Sequence, residues 1–159
     1  MANTQSMCTS FLGELLSSTH NFSSANPAHT ANTADTFKAA LYLASATVNA
    51  STTAYSATGE VSGTGYTAGG VTVTNATNPT SSNTSTTAGT GYWTPSASIV
   101  YTTVTLTTAF DCVLIYNSTQ SNKAVSAHTF GSQTVTAGTF TLTMPSNTTS
   151  TALLRLATT

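Results

Sequence analysis

Apolar residues recur at helical spacing in one stretch of this chain and alternate with polar ones through most of the rest. From Ser6 to Ser18, Met7, Phe11 and Leu15 form a stripe at i, i+4 and i+8, with Cys8, Leu12 and Leu16 beside it. That spacing predicts a short amphipathic helix with Ser6 as its N-cap. A helix of about three turns is marginal in water alone, so it has to dock on its own sheet or on a neighbour. Residues 19–35 are rich in Asn, Ser, Ala and Thr and are interrupted by Pro27. They read as an extended arm, which is long for a loop inside one compact unit.

From Thr36 onward the pattern is that of strands. Phe37, Ala39, Leu41 and Leu43 alternate with Lys38, Ala40 and Tyr42, the period of a half-buried strand. Val71–Thr74 alternates in the same way. Ile99–Leu106, Phe110–Tyr116, Ala124–Phe130, Thr139–Met144 and Ala152–Leu156 are five further strand candidates, and 75–91 reads as a loop or weak edge. Short strands divided by Gly, Asn, Ser and Pro predict an all-β, antiparallel β-sandwich of jelly-roll or Ig-like type. The expected organisation is an N-terminal helix and arm over 1–35 and a β-sandwich domain over 36–159. Phe37, Leu41, Val113, Ile115, Phe130, Phe140, Leu142 and Leu154 are the expected inward-facing residues.

Charge alters this picture more than length does. Asp, Glu, Lys and Arg make up 4% of the 159 residues, against roughly a quarter in an ordinary soluble domain. Ser and Thr take the polar positions instead, and Thr suits strands because its β-branch restricts χ1. Hydroxyls lose far less than charges do when they leave water, so such a surface fits a part packed against other subunits. The net charge is −1, and Lys38, Lys123 and Arg155 are the only cations. No basic patch can form, which argues against nucleic acid or an anionic membrane as partner. No apolar run reaches the ~18 residues of a membrane span. The opening Met-Ala-Asn-Thr-Gln-Ser lacks the features of a signal peptide, so six Asn-X-Ser/Thr sequons carry little weight.

Candidate chemistry is sparse. Glu14, Asp35, Glu60 and Asp111 stand one to a region, and His20, His29 and His128 lack ligand spacing. Neither an enzyme nor a metal or other cofactor is expected. Cys8 and Cys112 read as free thiols; Cys112 reads as a small buried hydrophobe, with a nucleophile paired to His128 as the sharper alternative. Gly63, Gly65, Gly69 and Gly70 are followed by a strand rather than a helix, so they read as turn residues and not as a phosphate loop. Trp93, Tyr92 and the tyrosines at 42, 55, 66, 101 and 116 are core or interface residues, or else line a carbohydrate site.

Longer phrases carry a resemblance. Asp35–Leu43, Ala54-Tyr55-Ser56 and Glu60–Gly70 occur in order, followed by Leu114–Ser118, Lys123-Ala124-Val125, Phe130-Gly131 and Gly138–Leu142. Together with Met7–Phe11, Glu14-Leu15-Leu16 and His20-Asn21-Phe22, these resemble a family of small virion proteins of tailed bacteriophages. The resemblance covers most of 7–156, with 75–91 divergent, and brings no catalytic residues. It implies a structural protein of the capsid, neck or tail, made in the bacterial cytoplasm and carried in the virion. The leading expectation is a cement or decoration protein, a homotrimer on the lattice of the major capsid protein; a neck, tail or fibre module is the alternative. In either case Met7, Phe11 and Leu15 are expected to make intersubunit contacts.

Overall fold

The run Phe37–Leu43 pairs on both sides, and the sheet is built outward from it. A computed structural model of the chain describes residues 2–23, 33–75, 77–82 and 89–158. The strands are β1 (Ser6–Met7), β2 (Phe37–Leu43), β3 (Val71–Thr72), β4 (Thr80–Ser81), β5 (Thr90–Trp93), β6 (Ile99–Asn117), β7 (Lys123–Leu142) and β8 (Leu154–Ala157), with one helix, α1 (Thr9–Leu16). They form two antiparallel sheets, ordered β1-β7-β6-β2-β3 and β4-β5-β8. The fold is all-β and sandwich-like, with a short N-terminal helix.

Two pairs of expected strands are each one long strand. Ile99–Leu106 and Phe110–Tyr116 fuse into β6, and Ala124–Phe130 and Thr139–Met144 largely fuse into β7, which ends at Leu142. The expected breaks are corners instead. The register between β6 and β7 shifts repeatedly between Tyr101 and Cys112, as it does where bulges bend a strand. The bend is sharp: the rings of Phe130 and Phe140 lie 5.3 Å apart, whereas ten residues of straight strand span about 33 Å. The first half of β6 therefore folds back over the sheet to which its second half belongs. Tyr101 Oη reaches the Ala39 carbonyl at 2.8 Å, although the ladder partner of Ala39 is Ile115.

One bulge keeps the folded-over half in phase. Ile99 and Tyr101 are buried, then Val104 and Leu106, with Thr102 and Thr103 both exposed between them. Thr103 takes φ 52°, and Ala137 on β7 takes φ 48°. Single residues in the left-handed region absorb the extra position and return the following side chains to the inner face.

The second half of β6 departs from simple alternation. Cys112 to Asn117 are all buried, as are Ala39 to Tyr42 and Ala124 to Ala127. Expected inward residues Phe37, Leu41, Val113, Ile115 and Leu154 are buried, while Phe130, Phe140 and Leu142 are half-buried. Leu114 and Tyr116, on the opposite face from Val113 and Ile115, are buried as well. Continuous apolar runs of this kind mark strands covered on both faces.

The N-terminal segment packs on the same body. Ser6 and Met7 form a strand on β7, opposite Ala127 and Ser126. The helix therefore starts later than expected, with Cys8 as N-cap and no side-chain capping bond. Ser6 is not the cap, because its backbone belongs to the sheet. Asn3 anchors the start of the chain: its amide donates to the Leu43 carbonyl at 3.0 Å, and Val48 N–H donates to its Oδ1 at 2.9 Å. The expected arm falls mainly on residues 24–32, outside the described residues.

Candidate functional site: an apolar cleft beside the helix

Helix α1 leaves a cleft between itself and the three-stranded sheet. Phe11, 2% exposed, points inward and meets His20 at 4.9 Å and Phe22 at 5.9 Å between ring centroids. Phe22 stacks on Phe37 at 4.3 Å and meets Trp93 edge-on at 4.9 Å. This aromatic cluster ties helix, returning chain, β2 and β5 into one unit, each tilted pair adding to simple burial. Trp93 is fixed in turn, donating through Nε1 to the Thr77 carbonyl at 2.8 Å and to Asn75 Oδ1 at 3.1 Å.

Above that floor lies a cavity of about 140 Å³, walled by Met7, Phe11 and Leu15 on one side and by Trp93, Leu154 and Leu156 on the other. Among the described residues, no charged one lines it. The sequence singled out Met7, Phe11 and Leu15 as a contact stripe, and the structure brings all three to this one cleft. They reach it differently than one helical face would allow: Met7 comes from β1, while Phe11 and Leu15 come from α1. Phe11 is buried within its own chain and leaves no side-chain surface for a neighbour. The large apolar side chains that α1 presents outward are Leu12, 43% exposed, and Leu16, 92% exposed. These two lie at i and i+4 beside the expected stripe, so helical spacing signals them; burial chooses between the two stripes, and only the tertiary fold decides it.

Glu14, His20 and Asn117 beside the helix are tied down. Glu14 accepts from Lys123 Nζ at 2.6 Å and pairs with His20 Nε2 at 2.8 Å. Partial burial pushes its carboxyl up, but hydrogen bonds and charge from Lys123 and His20 outweigh this and hold it below the usual range. His20 Nδ1 faces Asn117 Nδ2 at 3.0 Å, and the same amide donates to Asp35 at 2.7 Å. The Asn117 oxygen accepts from the N–H groups of Thr119 and Gln120 and so closes the β6–β7 turn.

The glycines fold a loop onto β2. Gly65, Gly69 and Gly70 have φ of 77°, 86° and 70°, in the region that L-residues avoid. Gly63 lacks a positive φ; a Cβ there would overlap the Thr105 carbonyl oxygen, so close approach is what requires it. Glu60 holds the loop by accepting from Tyr55 Oη at 2.6 Å, Tyr66 Oη at 2.7 Å and Gly69 N–H at 2.8 Å. Several of the tyrosines serve the interior, the first of the two readings of them: Tyr42, Tyr101 and Tyr116 are buried, and Tyr55 stacks on Tyr116. Burial pushes the Cys112 thiol up to about 12, so it is not primed as a nucleophile. Among the described residues no group of three or more His, Cys, Asp or Glu side chains could hold a metal ion, and no helix is long and apolar enough to cross a membrane.

Comparison with protein-family models, curated proteins and solved structures returned no match. The chemistry of the cleft is that of an apolar recess beside exposed leucines, which can bury hydrocarbon.

Proposed function

We propose that this protein is a non-enzymatic structural subunit of a tailed-bacteriophage particle, a cement or decoration protein bound to the lattice of the major capsid protein. The observation that carries the reading is the apolar cleft and its rim of Leu12, Leu16 and Leu156 on a chain with 4% charged residues. Exposed leucines around a recess are a liability for a free monomer and an asset for an assembled one. The four carboxylates support the same reading. Glu14, Asp35, Glu60 and Asp111 each accept hydrogen bonds from neighbouring groups of this chain, so they serve its internal packing.

The mechanism is linkage. A subunit that binds the assembled shell and not its separated parts stabilises the shell by RT ln(1 + [L]/Kd) at each site. Apolar and hydroxyl contacts are not screened by salt, so the added stability persists across ionic strengths. Quantitative mass spectrometry of purified virions tests the reading. On the order of hundreds of copies per particle, following the icosahedral lattice, is the expected result. A small multiple of three or six places the protein in the neck, tail or fibres instead, and absence from virions overturns the structural reading.

A further inference from the structure

We propose that the cleft receives Leu16 from a second copy of this chain, so that the protein self-associates through α1. The inference builds on the cleft as an association surface and names its occupant. Knob and hole lie side by side. Leu15 forms part of the cleft wall, and Leu16, the next and last residue of the helix, is 92% exposed. Leu12 extends the knob one turn back, and Leu156 both lines the cleft and shows at its rim. The sizes agree: an apolar cavity of about 150 Å³ accepts a benzene ring, so one of about 140 Å³ has room for the four carbons of a leucine side chain.

Charge argues that the occupant is this chain itself. The single charge on α1, Glu14, is turned inward onto Lys123 and His20, so the outer face of the helix is neutral. A partner with charges at the contact would bury them unpaired, which is costly. A second copy brings the same neutral leucine surface, and no like charges face each other. Because knob and hole are adjacent, a reciprocal exchange about a two-fold axis satisfies both protomers. Passing each Leu16 to the next copy round a three-fold axis closes equally well.

The site carries its own reporter. Trp93 is the only tryptophan in the chain and forms part of the cleft. Sedimentation velocity and tryptophan emission of the purified full-length protein are followed together across a wide concentration range. The expected result is a closed oligomer that dissociates on dilution, with a change in Trp93 emission as the leucine of the second copy leaves the cleft wall. Leu16→Asp, at an exposed position, is expected to remain monomeric throughout with an unchanged circular dichroism spectrum. Leu16→Ala is expected to weaken association by roughly tenfold or more. Gly91→Val approaches from the other side. Gly91 lies two residues before Trp93 on β5, on the same face, and a Cβ there meets nothing closer than the Leu156 carbonyl oxygen at 3.9 Å. A valine therefore narrows the cleft of a folded protein and is expected to weaken association as well. A wild-type protein that is monomeric at every concentration, or an oligomer indifferent to both Leu16→Asp and Gly91→Val, overturns the proposal. Neither result bears on copy number in virions, so the particle assignment stands or falls separately.

Discussion

The two halves of the β6–β7 hairpin share strands but differ in composition and surroundings. Around Cys112–Asn117 and Ala124–Ala127 the sheet is covered on both faces, and the sequence there is nearly continuous hydrocarbon. Around Ile99–Leu106 only one face is buried, and from Gly131 to Leu142 the partner strand is exposed or at best half-buried, with Thr at every second or third position. A single hairpin thus serves as core at one end and as cover at the other. The corner between them is packed by Phe110, which meets Phe130 at 6.0 Å and Phe140 at 5.0 Å. Thr keeps the strand conformation where hydrocarbon is not needed. A sequence so poor in charge can therefore still mark inside from outside.

The largest effects are expected at the wrapped end and the corner. Phe110→Ala removes a fully buried ring from the junction and is expected to cost about 3–5 kcal/mol, and Ile115→Ala about 2–5 kcal/mol, by urea denaturation. A loss under ~1 kcal/mol at Ile115 would show that the doubly covered end is not the stability centre.

Next comes the loop that covers β2. Gly70 has φ 70°, and an added Cβ would overlap the Ala39 carbonyl oxygen, so Gly70→Ala strains the backbone and displaces a buried strand together. A cost above about 1 kcal/mol is expected, read from the same denaturation series. A neutral substitution would mean that the loop lies loosely on the sheet.

A pH series sharpens the boundary between the halves. His128 stands opposite Val113, where β7 leaves the covered region, and burial lowers its imidazole from 6.5 to about 4. Above pH 6.5 both folded and unfolded forms are neutral and the group contributes nothing. Below it the unfolded chain takes up a proton that the folded one refuses, so stability falls until about pH 4 and then levels. In His128→Gln this part of the acid loss should vanish. An unchanged slope would place the ring in water. The smallest effect is expected at Val100, 39% exposed on the outer face of the folded-over half. Val100→Thr should change stability by within ±0.5 kcal/mol, and a cost like that of Ile115→Ala would erase the distinction between the halves.

Much of this was legible from residue order. The all-β class followed from alternation, and the positive φ at Gly65 and Gly69 accompanies the turn expected between Val61 and Val71. The corner was not legible as a corner. Thr107–Ala109 and Gly131–Ala137 weaken the apolar pattern just as a loop does, and only the pairing shows that the chain bends without breaking. Met7 misled for a related reason: it fits the helical stripe by spacing, yet its neighbours complete a strand on β7. Phe22 and Trp93 at the floor of the cleft were out of reach, since nothing local joins residues so distant in the chain.

Cys8 and Cys112 carry one further consequence. Both are buried and unbridged, and burial pushes their thiols up to about 11 and about 12, with the nearby charges of Glu14 and Asp111 adding to it. Their sulfur behaves as hydrocarbon, with almost no thiolate at neutral pH to attack an oxidant or a disulfide. The two thiols are thus expected to stay unbridged under both reducing and mildly oxidising conditions. Neither a reductant nor a disulfide-forming oxidant should then shift its melting temperature.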